Sequence, residues 1–478
     1  MKRALPLLAF ALACVALAGC DEGLLVDNTD PNATTDPSLG GLLPSAIYTT
    51  TDQAIFPAAA TTAYYTQNLA SPSGSSTDQH YEARIGDAWS GVYDAISDVE
   101  ALRAEARRQD APYYAGIAQI IKAFNLGLAT DLWGAIPSEE AVGGSANLTP
   151  AYDEQEVVYG DVQSLLDSAI TALRADTSAR IPGSGDLIYG GDRERWRRAA
   201  WALKARYLNH LSKTSSYDPQ AVLGAVDNAM QSNAGDLQMD YADDDDRNPW
   251  HRVYLDQEGG ILGGILSEQL VKEMDGTLYD VFDPRLEAAI TDSANIDGTD
   301  EPGYAGVRNG RGIQETYNHI EASGYYAAEN APIHWITYAE VKFIEAEAAL
   351  RAGDRSRAYD AYLEGIRAHM DNVGVPEGER DDYLDADEVA VGEDALTLDL
   401  IFKEKNVALF LNPESWVDHR RHGYNYPDFQ PPANQNPLFD SSGVSYIRRV
   451  LYPLSELERN RQNAPDVSLD GRLWWDDA

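Results

Sequence analysis

Apolar residues recur at helical spacing along most of the chain. In "APYYAGIAQIIKAFNLGLATDLWGAIPSEEA", Ile117, Ile120, Ile121, Phe124 and Leu128 share one face. Pro112 suits a first helical turn, and Gly134 with Pro137 marks the exit, so the pattern predicts a helix from Pro112 to about Asp131. Val158, Val162, Leu165, Leu166, Ala169 and Leu173 predict its antiparallel partner. "RWRRAAWALKARYLNHLSK" followed by "DPQAVLGAVDNAM" predicts a second hairpin, with Val222, Ala225, Val226 and Ala229 on one face. A third lies in "ITYAEVKFIEAEAALRAGDRSRAYDAYLEGIRAHM", with a turn at Gly353-Asp354. There, small Ala346, Ala358 and Gly365 leave room for close backbones, and Tyr362 supplies a large knob. The spacing is that of a tetratricopeptide-like helix hairpin of about 34 residues, and recurring hairpins stack into a solenoid. Upstream, helix is expected from about Tyr48 to Leu69 and from Tyr81 to Arg108.

The expected fold class is therefore all-α in the main, a single body over residues 48–478 with long irregular loops and a few short strands. The helical period fails between about Gly235 and Trp335, where "YADDDDRNPWHRVYLDQEGGILGG", "TDSANIDGTDEPGYAGVRNG" and "YNHIEASGYYAAEN" are rich in Gly, Asp, Asn and Tyr. An irregular stretch of that length is too long for a connector and reads as a functional excursion. A second excursion, "GYNYPDFQPPANQNPLF", follows Arg421, and Tyr446–Pro453 has the composition of a short strand.

The amino-terminal end follows different rules. Lys2-Arg3 precedes an apolar run from Ala4 to Ala18 that stops at Gly19-Cys20-Asp21-Glu22. That is the grammar of a cleaved secretory signal over residues 1–19, shorter than the roughly 20 apolar residues a membrane span needs. Leu17-Ala18-Gly19-Cys20 resembles a bacterial lipobox, which implies acylation of Cys20 and anchoring without a span. Removal of Cys14 with the signal would leave Cys20 as the only cysteine, so no internal disulfide is expected. The turn-rich residues 20–47, including "DNTDPNATTDPSLGG", read as a tether.

Charge narrows the partners. With 77 acidic against 37 basic residues the formal net charge is -40, which excludes general attraction to nucleic acid or anionic lipid. The 27 tyrosines and 9 tryptophans instead suit recognition of polar organic ligands through aromatic faces.

Taken in order, the lipobox at Cys20, "IAQIIKAFNLGLATDLWGAIPSEEA", "WRRAAWALKARYLNHLSK", "ITYAEVKFIEAEAALRAGD", "SWVDHRRHGY" and "RRVLYPLSELERNRQN" resemble the SusD/RagB family of nutrient-binding outer-membrane lipoproteins, in its SusD-like branch. The resemblance implies a tetratricopeptide-like body supporting ligand loops, anchored by lipid at the cell surface. It also implies a SusC-type TonB-dependent transporter as partner, to which an oligosaccharide, or sometimes a peptide, is delivered. Asp21-Glu22 looks like the acidic signal that sends such lipoproteins to the surface.

Sugars present apolar C–H faces and hydroxyl edges, so their sites pair aromatic platforms with polar side chains. "NPWHRVY" offers Trp250 and Tyr254 as platforms with Asn248 and Arg252 as hydrogen-bonding partners, in an expected loop. Trp89 and Tyr93, four apart, form a second candidate pair, although that spacing equally suits a core. Tyr325-Tyr326, Tyr424 and Tyr426 are further loop candidates. Asp243–Asp246 and the stretch Asp292–Glu301 carry oxygen ligands suited to calcium but lack EF-hand spacing, so solvated acidic loop is the favoured reading and no cofactor is assigned. His419 and His422 lack a completing zinc ligand and read as a charged helix end, with Asp418 paired to a neighbouring arginine. No nucleophile elbow, zinc-protease motif or phosphate loop is present, so a non-enzymatic binding protein is expected. A glycoside hydrolase using two carboxylates and a protein-binding repeat scaffold are the alternatives.

Overall fold

Helix begins earlier than the apolar pattern indicates. A computed structural model of the chain describes residues 38–143, 146–242, 246–260, 262–294, 303–314 and 316–476. The signal segment, Cys20, the tether up to Pro37, Asp243–Asp245 and the acidic residues 295–301 lie outside the described residues. From Leu39 onward the chain forms one compact unit. Its first helix, α1 (Leu39–Tyr48), buries Leu39, Leu42, Leu43, Ala46 and Ile47, which the tether expectation had placed before the body. A π-helical turn, Thr49–Ile55, leads into α2 (Phe56–Tyr65).

The hairpins follow. Helices α3 (Gly86–Arg108), α4 (Pro112–Trp133) and α5 (Gln155–Leu173) pack in sequence, α3 on α4 and α4 on α5. Helix α4 runs two residues past the expected Asp131 and stops at Gly134. It is buried on nearly every side because α3, α5 and α6 all pack on it. Helix α6 (Arg193–Asn209) is capped by Asp192, whose carboxylate accepts from the Glu194 and Arg195 amides, and α7 (Pro219–Val226) is capped by Asp218 in the same manner.

The excursion leaves and returns at one point. Strand β1 (Leu237–Met239) pairs antiparallel with β2 (Ile333–Ile336), with Leu237 opposite Ile336 and Gln238 opposite His334. Between them lie α8 (Pro249–Glu258), α9 (Glu268–Met274) and a π turn at Leu286–Ile290. The expected irregular region therefore contains short helices, fixed to the body by isolated bridges such as Leu69 to Leu266.

The third hairpin joins α10 (Tyr338–Ala352) to α11 (Arg355–Val373). Gly353 has φ 83°, the left-handed conformation that ends a helix without a Cβ penalty. Gly365 lies under the Phe343 ring, and Tyr362 is wholly buried, as the spacing requires. Helices α12 (Glu377–Leu384), α13 (Leu398–Ala408), α14 (Glu414–Arg421), α15 (Leu438–Ser442) and α16 (Leu454–Arg459) complete the body.

Segment Tyr446–Pro453 is not a strand. Its amides go to three separate places: Arg448 N–H to Leu469 O, Val450 N–H to Leu132 O and Leu451 N–H to Ala83 O. The β-branched and aromatic composition serves burial here rather than one ladder.

Candidate functional site

The aromatic residues singled out in the sequence mostly build the body. Asn248 does not face a ligand: its side chain caps α8, accepting from Trp250 N–H at 2.6 Å and donating to Ala331 O at 2.8 Å. Trp250 lies in the first turn of that helix rather than in a loop, 4% exposed, with its ring against Phe56 at 5.1 Å and 80°. An indole buried this way offers no face to a sugar. Arg252 is at the surface, paired with Asp52 at 2.8 Å, and Tyr254 is half-buried beside His251 and His319. Trp89 is core, packed against Tyr93, Trp133 and Tyr452, while the Tyr93 hydroxyl donates to Pro137 O at 3.0 Å. Tyr326, Tyr424 and Tyr426 are buried, and the half-buried Tyr325 stacks on His334. Helix α14 is buried throughout instead of being a charged surface end, although Asp418 does pair with Arg421, at 2.6 Å.

Among the described residues, Asp131, His210 and Glu414 offer ligand atoms within 4.8 Å of one another. The imidazole is already committed at both nitrogens: Nε2 lies 2.6 Å from Glu414, and Nδ1 lies 2.9 Å from the Tyr159 hydroxyl and 3.4 Å from Asp131. Burial alone would discharge His210, but the carboxylates of Glu414 and Asp131 outweigh it and raise its pKa to about 9. A metal requires the neutral ring, so this trio fits an ionic staple joining α4, α6 and α14 better than a metal site.

The groove that could receive a ligand is built elsewhere, from segments distant in sequence. A cavity of about 330 Å³ opens between α9 and residues 304–314, lined by Glu268, Lys272, Asp275, Tyr304, Arg308 and Arg311 among others. A smaller one of about 180 Å³ shares Glu268, Lys272 and Arg308 with it and continues to Gln67, Asp428 and Gln430. None of the sequence-predicted candidates lines either cavity.

One buried carboxylate holds the groove wall in place. Asp78 accepts from Asn309 Nδ2 at 2.6 Å, Gly310 N–H at 2.7 Å and Ser71 N–H at 3.2 Å. Burial raises its pKa, and these three donors oppose that shift by stabilising the carboxylate. Gly310 has φ 77°, and a Cβ there would collide with Ala433 O. The Asn309 carbonyl accepts from Ala433 N–H, and Gln79 Nε2 donates to Gly310 O at 2.9 Å. Three loops thus cross at Asn309-Gly310, with Arg308 and Arg311 exposed on either side.

The groove also has an aromatic edge. Tyr304 lines it and lies 5.9 Å from Phe282, with the rings inclined at 34°. Phe282 is 42% exposed and Tyr304 is half-buried. The Tyr304 hydroxyl donates to Glu287, which fixes the ring plane. Apolar ring surface beside guanidinium and carboxylate groups is the combination a carbohydrate site requires. Sequence reasoning missed these residues, and no local signal marks them: "GYAGVRNGRGIQ" at residues 303–314 contains no acid, but longer acid-free runs stand at residues 53–77 and 195–217.

Fold and site together define a helix-hairpin stack that carries a rigid, polar, loop-built groove. The chain belongs to the SusD-like family, described as starch-binding and associating with the outer membrane, whose profile matches residues 31–453. Among solved structures, it is similar to a SusD/RagB family protein of Bacteroides thetaiotaomicron at 22% identity and TM-score 0.74, covering 92% of this chain and 99% of that one. A chitin-binding SusD homologue of Flavobacterium johnsoniae is similar at 21% identity and TM-score 0.75, with 92% and 99% covered. A SusD homologue of Bacteroides fragilis gives 22% and 0.73, with 92% and 100% covered. No curated protein matches the sequence. No described helix is long and apolar enough to cross a membrane.

Proposed function

We propose that the protein is a lipid-anchored lipoprotein of the outer-membrane surface that holds an oligosaccharide in the Tyr304–Arg308 groove and delivers it to a SusC-type TonB-dependent transporter. The observation that carries the glycan reading is the half-buried Tyr304 ring, with the exposed Phe282 ring next to it, in the groove that Arg308 and Arg311 line on a wall clamped by Asp78. A groove whose wall is already fixed loses little conformational entropy on binding. Membership of a family described as starch-binding, and the chitin-binding homologue of the same fold, support a saccharide over a peptide. Anchoring at Cys20 and the transporter partner rest on the lipobox and on family membership.

Binding without turnover is the chemistry expected. In the buried trio, Asp131 and Glu414 are engaged by His210 and closed to a sugar. Calorimetric titration of starch, chitin and plant-wall oligosaccharides, with product analysis of each mixture, tests the reading. A glycan should bind unchanged, and Tyr304→Ala should weaken it about tenfold or more. Released products, or full affinity in Tyr304→Ala, would sink it. For the partner, native protein drawn from outer membranes should bring a TonB-dependent transporter with it, and Cys20→Ala should not.

A further inference from the structure

Two arginines of the groove carry the reading one step further. We infer that the groove selects oligosaccharides bearing carboxylate groups, uronic acid units whose charge is met by Arg308 and Arg311. The inference rests on the glycan reading above, since a glycan must bind there before its charge can matter.

In a chain with 77 acidic and 37 basic residues, many surface cations are met by a carboxylate. Arg252 pairs with Asp52, Arg357 with Asp227 and Glu345, and Arg380 with Asp371 and Asp381. In the groove itself Lys272 is neutralised by Glu268 at 2.7 Å and lies 3.7 Å from Asp428. Arg308 and Arg311 are exposed and have no ion-pair partner among the described residues, a state they share with Arg107, Arg174 and Arg461; what sets them apart is that both line the groove. Asp275 is the remaining acid of the larger cavity, and its Oδ1 accepts from Thr277 N–H.

Placement makes these two cations a recognition device. They flank the Asn309-Gly310 crossing, where Asp78, Gln79 and Ala433 hold the backbone. Held this way, each planar guanidinium presents paired N–H donors that match a carboxylate. At a net charge of -40 the protein repels a polyanion at long range, but salt screens that field beyond about 8 Å. Contact is therefore decided locally, where, among the described residues, the acids of the larger cavity are Glu268, which pairs with Lys272, and Asp275, which accepts from Thr277 N–H. The Tyr304 and Phe282 rings offer the apolar face that a pyranose needs, so charge and ring are read side by side. A neutral glycan would leave both guanidiniums without a charge partner.

The test is isothermal titration of the detergent-solubilised full-length lipoprotein with oligogalacturonate, alginate and hyaluronan oligosaccharides. Each is compared with its methyl-esterified, uncharged counterpart, and neutral starch and chitin oligosaccharides are run alongside. At least one acidic glycan should bind about tenfold or more tightly than its ester, with a preference that shrinks as salt rises. Arg308→Gln/Arg311→Gln should erase that preference without moving the thermal unfolding midpoint, and Arg308→Lys/Arg311→Lys should restore part of it. Equal binding of acid and ester, a preference that survives in the glutamine variant, or binding of neutral glycans alone would overturn the charge inference and leave the glycan reading standing. Failure of every glycan to bind would overturn both.

Discussion

His210 gives the most exacting test of the fold. Its ring sits just after α6 between Glu414 of α14 and Asp131 of α4, with the Tyr159 hydroxyl of α5 on Nδ1. Trp475 Nε1 donates to Asp131 at 3.0 Å, and Arg206 lies 3.7 Å from Glu414. The charged ring therefore ties α4, α5, α6 and α14 together, and Asp131 carries the link on to Trp475. Burial opposes its charge, the two carboxylates favour it, and the pKa settles at about 9 against an ordinary 6.5. The depressed pKa of Glu414, about 2, reflects the same attraction seen from the other side.

The sign follows from proton linkage. The folded chain holds the His210 proton more tightly than the unfolded one, so the stabilisation is complete below about pH 6.5 and is lost as pH rises through 9. The full shift corresponds to about 3 kcal/mol, of which about 2 kcal/mol disappears between pH 7 and 9. That upper window separates His210 from other buried groups. Asp236 and Glu273, whose pKa values burial raises to about 7, lose their contribution at lower pH. His419, held neutral by burial with a pKa of about 3, costs stability only in acid. Urea unfolding at half-unit steps from pH 6.5 to 9.5 should show stability falling with pH, and His210→Gln should be less stable at pH 6.5 and nearly flat thereafter. A wild-type curve flat between pH 7 and 9, or a variant curve parallel to it, would refute the charged staple.

Three further substitutions test the architecture. Trp250→Ala should cost about 3–5 kcal/mol in denaturant unfolding, since it empties a core site against Phe56, and a variant of near-native stability would contradict that burial. Gly127→Ala replaces glycine with a better helix former, yet a Cβ there collides with the Tyr207 ring, so the melting temperature should fall rather than rise, by an equivalent of about 1–3 kcal/mol. Glu347→Gln removes the carboxylate that holds Arg421 at 2.6 Å, Asn209 at 2.7 Å and Arg351 at 3.0 Å, and a loss of about 3–5 kcal/mol is expected by the same unfolding assay.

The helices were legible where one face is apolar and the ends are marked. Gly134 closes α4 and Gly353 turns α10 into α11 because both positions need backbone conformations that glycine adopts easily. Misreading Trp250 has a definite cause. Asn248-Pro249 is a cap followed by a proline at the first helical position, a sound start signal, but the acidic residues before it suggested a solvated loop. The early start at Leu39 was hidden by Gly40, Gly41 and Pro44, which depress helix propensity in a segment stabilised by packing on α3. The groove was least legible because its walls come from residues 67, 268–277, 304–314, 316 and 428–432, which only tertiary structure brings together.

The family-like motifs and the candidate ligand groups occupy opposite halves of a single electrostatic arrangement. Arg206 of "WRRAAWALKARYLNHLSK" and Arg421 of "SWVDHRRHGY" turn inward: Arg206 pairs with Glu340 at 2.6 Å and Arg421 with Glu347 at 2.6 Å, all of them buried. Such pairs tolerate little change, because removing one partner strands the other charge in a low-dielectric interior. They fix how the hairpins stack and leave the surface acidic. Arg308 and Arg311 lie on loops instead, held by Asp78 through backbone and amide contacts that do not depend on the arginine side chains. Groove chemistry can therefore be altered at those two positions while the body stays intact, and ligand selectivity and fold stability should respond to mutation independently.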